Sequence, residues 1–143
     1  AKLLGDSECM EVAGESTPLM HGDLLCSDDV DYLAFRVIAH NPEWQAEMLS
    51  KSLEERRALA KQLRTMSKEA ASNKAEDIMD VNDDTVRSVM AEHDVKRLIH
   101  GHTHRPYRHP MLSAERIVLG DWNRTGWCLR ERGRSLELRE FSL

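Results

Sequence analysis

The run Leu98-Ile99-His100-Gly101-His102-Thr103-His104-Arg105-Pro106 constrains this chain more than any other stretch, because a short apolar segment stops at a glycine and continues in alternating histidines. Such a pattern predicts a strand that ends in a polar loop. Along an extended backbone alternate side chains share a side, so His102 and His104 are expected to face the same way, with Gly101 permitting an approach that a Cβ would obstruct. Two neutral imidazoles placed like this can converge on metal. A second strand-like segment, Thr17 to Leu25, carries His21-Gly22-Asp23 and is expected to deliver His21 into a comparable loop. The other histidines carry no such context: His40, His93 and His109 read as surface or hydrogen-bonded residues, and His100, on the strand itself, as structural.

The remaining composition narrows the class. A chain of 143 residues with 41% hydrophobic and 31% charged content is long enough for one domain with a real core. Its net charge of −5 argues against a nucleic-acid binder driven by phosphate neutralisation. Cys9, Cys26 and Cys128 form an odd set without Cys-x-x-Cys spacing, so neither a disulfide scaffold nor a thiolate zinc site is expected, and a reducing cytoplasm suits them. No apolar run is long enough to span a membrane, and no basic-then-apolar leader opens the chain, so membrane contact is expected to be peripheral. The first segment reads as the middle of a domain and begins with alanine, from which we expect a C-terminal portion of a larger protein.

Helical signals dominate the centre. Ser27-Asp28-Asp29 supplies capping oxygens before Val30, Leu33, Ala34, Val37 and Ile38, spaced by three and four as on one face of a helix that ends near Asn41-Pro42. Pro42 can open a second helix through Trp44 and Met48, and the stretch from Leu53 to Glu76 has strong helix formers and no internal glycine or proline. Asn82-Asp83-Asp84 caps another helix, with Val86, Val89 and Met90 toward a core. After the histidine loop the pattern turns to β, with RIVLGDW and then a hairpin around Gly133. The order predicts an α/β fold interrupted by a helical insertion over 29–76, longer than a simple crossover requires.

The histidine boxes resemble the last two blocks of the calcineurin-like metallophosphoesterases. More specifically, HGDLLCSDDVDYLAFR, HNPEWQ, RTMSKEAASNKAEDIMDVN, LIHGHTHRP and VLGDW, in that order over about residues 21 to 122, resemble the bacterial UDP-2,3-diacylglucosamine pyrophosphatases (hydrolases) of lipid A biosynthesis. The resemblance implies the C-terminal part of a four-layer αββα metallophosphoesterase sandwich, residues 1–143 belonging to a single domain with 29–76 as its lid. It implies a site of two Mn²⁺ ions, hydrolysis of UDP-2,3-diacylglucosamine to UMP and 2,3-diacylglucosamine 1-phosphate, and a cytoplasmic protein held peripherally on the inner face of the inner membrane. By the matching motifs, His21, His102 and His104 are the expected metal ligands and catalytic residues. The family's earlier blocks, Asp-x-His, Gly-Asp-x-x-Asp and Gly-Asn-x-Asp, have no counterpart here, so the remaining N-terminal half of the same enzyme is an expected partner and the isolated chain is expected to be inactive.

Substrate contacts follow from the same resemblance. Arg64, Ser67 and Lys74 are expected to bind the glucosamine phosphate and nearby polar groups, Asp29 and Tyr32 the sugar, and His102 to touch substrate as well as metal. Read without the family, Arg64, Ser67 and Lys74 fall on one stripe of a helix that would ordinarily be a solvated face, and Asp29 is also a plain helix cap. Asp23 and Asp121, each after a glycine, are expected to orient imidazoles. Phe35, Val37, Ile38, Trp44, Met48 and Leu49 could line an acyl pocket or be ordinary core, and Arg36, Lys51, Arg56 and Arg57 could meet anionic headgroups. Two other readings stand beside this one: a calcineurin-like phosphodiesterase or nucleotidase acting on a soluble substrate, and a non-catalytic fragment or assembly domain.

Overall fold

The structure, a computed structural model, describes residues 4–72 and 78–143, with the side chains at 71–72 outside the description. The chain divides into two compact units, Ala1–Cys26 with Val81–Leu143, and Ser27–Asp80.

The first unit is built on strands. Ala13 and Gly14, with φ of 53° and 80°, form a two-residue turn joining β1 (Ser7–Val12) to β2 (Glu15–Met20), paired antiparallel from Val12 opposite Glu15 to Ser7 opposite Met20. Positive φ at both turn residues matches the right-handed twist of the flanking strands. After β2 comes a single 3₁₀ turn over Asp23–Leu25. The unit resumes with a helix at Asp83–Glu92, then β3 (Arg97–His100), β4 (Tyr107–Pro110) and β5 (Glu115–Val118). These five strands lie in the order β1-β2-β3-β5-β4, with β3 parallel to both β2 and β5. A separate hairpin of β6 (Thr125–Arg132) and β7 (Ser135–Ser142) turns at Gly133, as its sequence indicated.

Alternation along β3 and β5 explains the layers. Ile99 and Ile117 point to one face and pack with Ala13 and Leu136, flanked by Leu129 and Leu138 of the hairpin. Leu98 points to the other face and packs with Leu25, Val86 and Met90. The helix Asp83–Glu92 therefore buries Val86 and Met90, the residues its periodicity marked, and is capped by Asn82, whose side chain accepts from the backbone N–H of Asp84 and Thr85 at 3.0 Å each. This unit is a helix, a mixed sheet and a two-stranded sheet in layers, a mixed α/β arrangement as the sequence predicts. Neither β1 nor β4 was expected: β4 offers only Tyr107 as a strand former between Pro106 and Pro110, and β1 is exposed along most of its length.

At the end of the sheet where β3 begins, a polar staple holds the layers together. Arg97, only 9% exposed, donates from Nε to Glu115 at 2.8 Å and from Nη1 to the Val12 carbonyl at 2.9 Å, and pairs with Glu15 at 3.2 Å. Arg108 donates to the same Glu115 carboxylate at 2.6 Å and to the Leu136 carbonyl at 2.8 Å. Burial alone would raise the Glu115 pKa, but hydrogen bonds from Arg97 and Arg108 and their charges hold it below the usual carboxylate value. A depressed folded-state pKa gives stability that is present above the unfolded value and lost as pH falls through the folded one. Glu115→Gln is expected to cost about 1 to 2 kcal/mol at pH 7. In melting curves from pH 7 downward, the wild-type advantage should shrink below about pH 4.5; a gap that widened on acidification would contradict the assignment.

The second unit, Ser27–Asp80, holds α1 (Val30–Ala39), α2 (Pro42–Ser50) and α3 (Leu53–Ser72); the helix Asp83–Glu92 of the first unit is α4. Local chemistry starts each of the three. Asp29 accepts from the Tyr32 N–H at 3.1 Å, and Asn41 accepts from Glu43 and Trp44 with Pro42 as first helical residue. Ser52 and Glu55 form a reciprocal capping box at the start of α3, and the Ser52 hydroxyl and N–H lower the Glu55 pKa. None of the described residues of this unit is buried. Of the two readings open for the apolar residues of α1, ordinary core does not hold for Val37 and Ile38, which are 73% and 52% exposed, and Val30 on the same stripe is 69% exposed. Among the described residues no helix is long and apolar enough to cross a membrane.

Candidate functional site: two histidine loops at neighbouring strand ends

β2 and β3 are parallel neighbours, with Met20 opposite His100, so the residues that follow them leave the sheet from the same end. His21 is the first residue after β2 and Gly101 the first after β3. The Gly101 N–H donates to the His21 carbonyl at 2.9 Å, joining the two loops through their backbones. The His21 and His102 rings then meet edge to face, centroids 4.9 Å apart at 65°. Asp23, buried on the 3₁₀ turn, lies 3.1 Å from His21 Nδ1. That contact takes up Nδ1 and leaves Nε2 on an exposed ring, the arrangement by which a carboxylate orients a ligating imidazole.

Two local expectations are corrected here. The loop after β3 is not extended: His102 and His104 have φ of 63° and 52°, and the Thr103 N–H turns back to the Gly101 carbonyl at 2.8 Å. The simple alternation that would put both imidazoles on one side does not operate in a left-handed backbone. Nor is Gly101 the glycine that close packing needs. A Cβ there would meet only the His21 carbonyl at an ordinary 3.6 Å, whereas one on Gly22 would lie 2.7 Å from His100 Nδ1 and 3.1 Å from the Gly101 carbonyl, and Gly22 has φ 109°.

Of the residues singled out by sequence, the structure brings His21, His102 and Asp23 together. His104 is exposed two residues further on, and Asp121 is exposed and not paired with any of the three histidines. Among the described residues no group of three or more histidine, cysteine or carboxylate side chains is gathered closely enough to hold a metal ion. In the helical unit, Asp29 is a helix cap, Tyr32 is half-buried, and Arg64 and Ser67 are exposed one turn apart on α3. Lys74 lies outside the described residues.

His100 is fully buried, as expected for a structural histidine, but its partner was not anticipated. Arg116 Nη1 lies 3.1 Å from His100 Nε2 and is itself buried. One signal was available: Arg116 is a lone cation inside the apolar strand RIVL, where a charge persists only with a partner. A cavity of 560 Å³ in the first unit, lined by Arg87, His109, Met111 and Arg116 among others, includes none of the histidines of the two loops.

What the fold and these loops define is an α/β protein that presents paired imidazoles where adjacent parallel strands end, the position at which open α/β sheets hold their ligands. No protein-family model matches the chain. Curated relatives do, and three that match over 96% or more of it are named UDP-2,3-diacylglucosamine hydrolase. The protein of Cellvibrio japonicus is 49% identical over 100% of this chain and 61% of its own length. That of Chromohalobacter salexigens is 47% identical over 96% and 58%, and that of Shigella dysenteriae 43% over 97% and 60%. The resemblance read from the sequence motifs is thus found, and the chain spans about 60% of the length of the curated relatives it matches, consistent with a C-terminal portion. Among solved structures, Vacuolar Protein Sorting 29 from Cryptosporidium parvum aligns with a TM-score of 0.42 at 10% identity, over 96% of this chain and 57% of that one.

Proposed function

We propose that this chain is the part of a UDP-2,3-diacylglucosamine hydrolase that carries the closing metal-ligand loops and the lid, acting within a four-layer αββα sandwich whose remaining strands and ligands come from an N-terminal portion. The hydrolysis yields UMP and 2,3-diacylglucosamine 1-phosphate. The observation that carries the reading is the joining of two imidazole loops at neighbouring parallel strand ends, in a chain similar along its whole length to proteins of that name.

The donor chemistry fits a divalent metal in part. His21, oriented by Asp23, presents Nε2, and His102 stands beside it; with His104 they would hold part of the shell of two Mn²⁺ ions, the carboxylates that such hard cations also require coming from outside this chain. When bound, such metals supply an acidified water and offset charge on the phosphoryl oxygens. This chain's own residues hold the imidazoles in place, and the isolated chain is inactive because its donor set is incomplete.

In the helical unit, Arg64 and Ser67 on α3, with Lys74, bind the phosphate and nearby polar groups of the glucosamine, while Asp29 and Tyr32 contact the sugar. The exposed apolar residues Phe35, Val37, Ile38 and Leu49, which no core claims, suit acyl chains and a peripheral contact with the cytoplasmic face of the inner membrane. The test is UMP release from UDP-2,3-diacylglucosamine with added Mn²⁺, by this chain and by the protein completed to its relatives' length. Only the longer form should turn over. Arg64→Ala in that form should lower kcat/KM about tenfold to a hundredfold, as loss of a charge-assisted hydrogen bond does. Unchanged kcat/KM would remove Arg64 from the substrate site.

A further inference from the structure

Beneath both histidine loops lies a buried polar pair to which the reaction assigns nothing. His100 is 1% exposed and Arg116 is 7% exposed, on neighbouring parallel strands and on the same face of the sheet as Leu98. A guanidinium has donors only, so the contact of Arg116 Nη1 with His100 Nε2 at 3.1 Å makes Nε2 the acceptor and places the ring proton on Nδ1. Nδ1 then donates to the Gly101 carbonyl at 2.9 Å. The same edge of the ring fills the space that a Cβ on Gly22 would occupy, 2.7 Å from Nδ1 and 3.1 Å from the Gly101 carbonyl. One imidazole is thus hydrogen-bonded to the loop that carries His102 and packed against the loop that carries His21, while the Gly101 N–H ties the two loops to each other.

Filling this volume does not require such a pair. An apolar side chain would fill it without removing a guanidinium from water, a cost that ion and hydrogen-bond partners often only just offset. What an apolar side chain lacks is direction, since only a ring with a fixed tautomer holds the Gly101 carbonyl at a defined angle. We propose that His100 and Arg116 are positioning residues that set the separation of the His21 and His102 rings and thereby the metal affinity of the loops. The affinity part of this proposal rests on the metal-ligand reading of His21 and His102; the geometric part does not.

The experiment is histidine-ring NMR on this chain, reading three things: the tautomer of His100, the nuclear Overhauser contact between the His21 and His102 rings, and broadening of those two rings by added Mn²⁺. Wild type should show His100 protonated on Nδ1 and a clear contact between the other two rings. In Arg116→Met, similar in length but without donors, only the Gly101 carbonyl still favours the Nδ1 proton, so the Nδ1 preference should fall and the ring contact should weaken at least about twofold. Half-maximal broadening should then need about ten times more Mn²⁺, the scale on which outer groups tune metal sites. Arg116→Lys, which keeps a donor, should recover most of each signal. If Arg116→Met does not fold, Arg116→Leu takes its place, because it too offers Nε2 no donor. A wild-type His100 protonated on Nε2, or a ring contact unchanged in the variant, overturns the proposal. If Mn²⁺ broadens neither ring in wild type while the tautomer and contact respond as expected, the metal reading fails and the positioning role stands.

Discussion

Gly22→Ala should unfold or distort the histidine site at a cost of about 2 kcal/mol or more, while Gly101→Ala should change stability by no more than about 0.5 kcal/mol. The two glycines occupy equivalent places in the sequence, each beside a site histidine, and differ only in what surrounds them. Gly22 has φ 109°, where any L side chain is strained, and a methyl there would press on the buried His100 ring and on a backbone carbonyl, neither of which is a flexible chain end. Gly101 has neither problem: its new methyl would meet one carbonyl oxygen at 3.6 Å. Urea unfolding of the two variants beside wild type measures the difference. Equal losses for both, or a larger loss for Gly101→Ala, would show that the packing of His100 against Gly22 is wrongly placed.

His102→Gly should remove activity while leaving the fold as stable as before, or slightly more so. In the protein completed to its relatives' length, UMP release should fall about a thousandfold, equivalent to about 4 kcal/mol of transition-state stabilisation. Stability should stay within about 1 kcal/mol of wild type. His102 holds φ 63°, a conformation that costs a non-glycine residue on the order of 1 kcal/mol, and glycine relieves that strain while adding a similar entropy loss on folding. The ring is half-buried and is not part of either hydrophobic cluster, so little packing is lost. Activity and melting temperature measured on one preparation decide the matter. A large fall in melting temperature would mean that His102 is structural, and retained activity would remove it from the site.

How much of this was legible in the sequence depended on the range of the signal. Helix starts were readable because caps act within three residues: Asp29, Asn41 and Asn82 each do what their type and position suggest. The hairpin at Gly133 and the core face of α4 were readable for the same local reason. The strand β1 was not, since most of it is exposed and it lacks the alternation that one-sided burial imposes. Within the site, His21, His102 and Asp23 do come together, but the backbone that carries His102 differs from the expectation. Glycine and histidine at Gly101 to His104 suggested an extended approach, but two left-handed histidines turn the loop, and left-handed geometry leaves no periodic trace. Arg97 with Glu115, and Arg116 with His100, escaped notice because pairing across strands joins residues far apart in the chain, and only their misfit within apolar strands hints at a partner.

That none of the described residues of Ser27–Asp80 is buried bears on how such a chain can change over generations. In the first unit a substitution at Leu98 or Ile117 is constrained by every side chain packed around it, and most alternatives unfold the sheet. In the helical unit the folding instructions are concentrated in a few caps, Asp29, Asn41 and the Ser52–Glu55 box, while the described apolar side chains between them are exposed or only part-buried. Selection on what those side chains touch outside the chain is therefore nearly free of selection on whether the helices form. A region arranged this way can be retuned one residue at a time toward longer, shorter or differently branched apolar partners, while the paired imidazoles stay fixed on a scaffold that tolerates almost no revision.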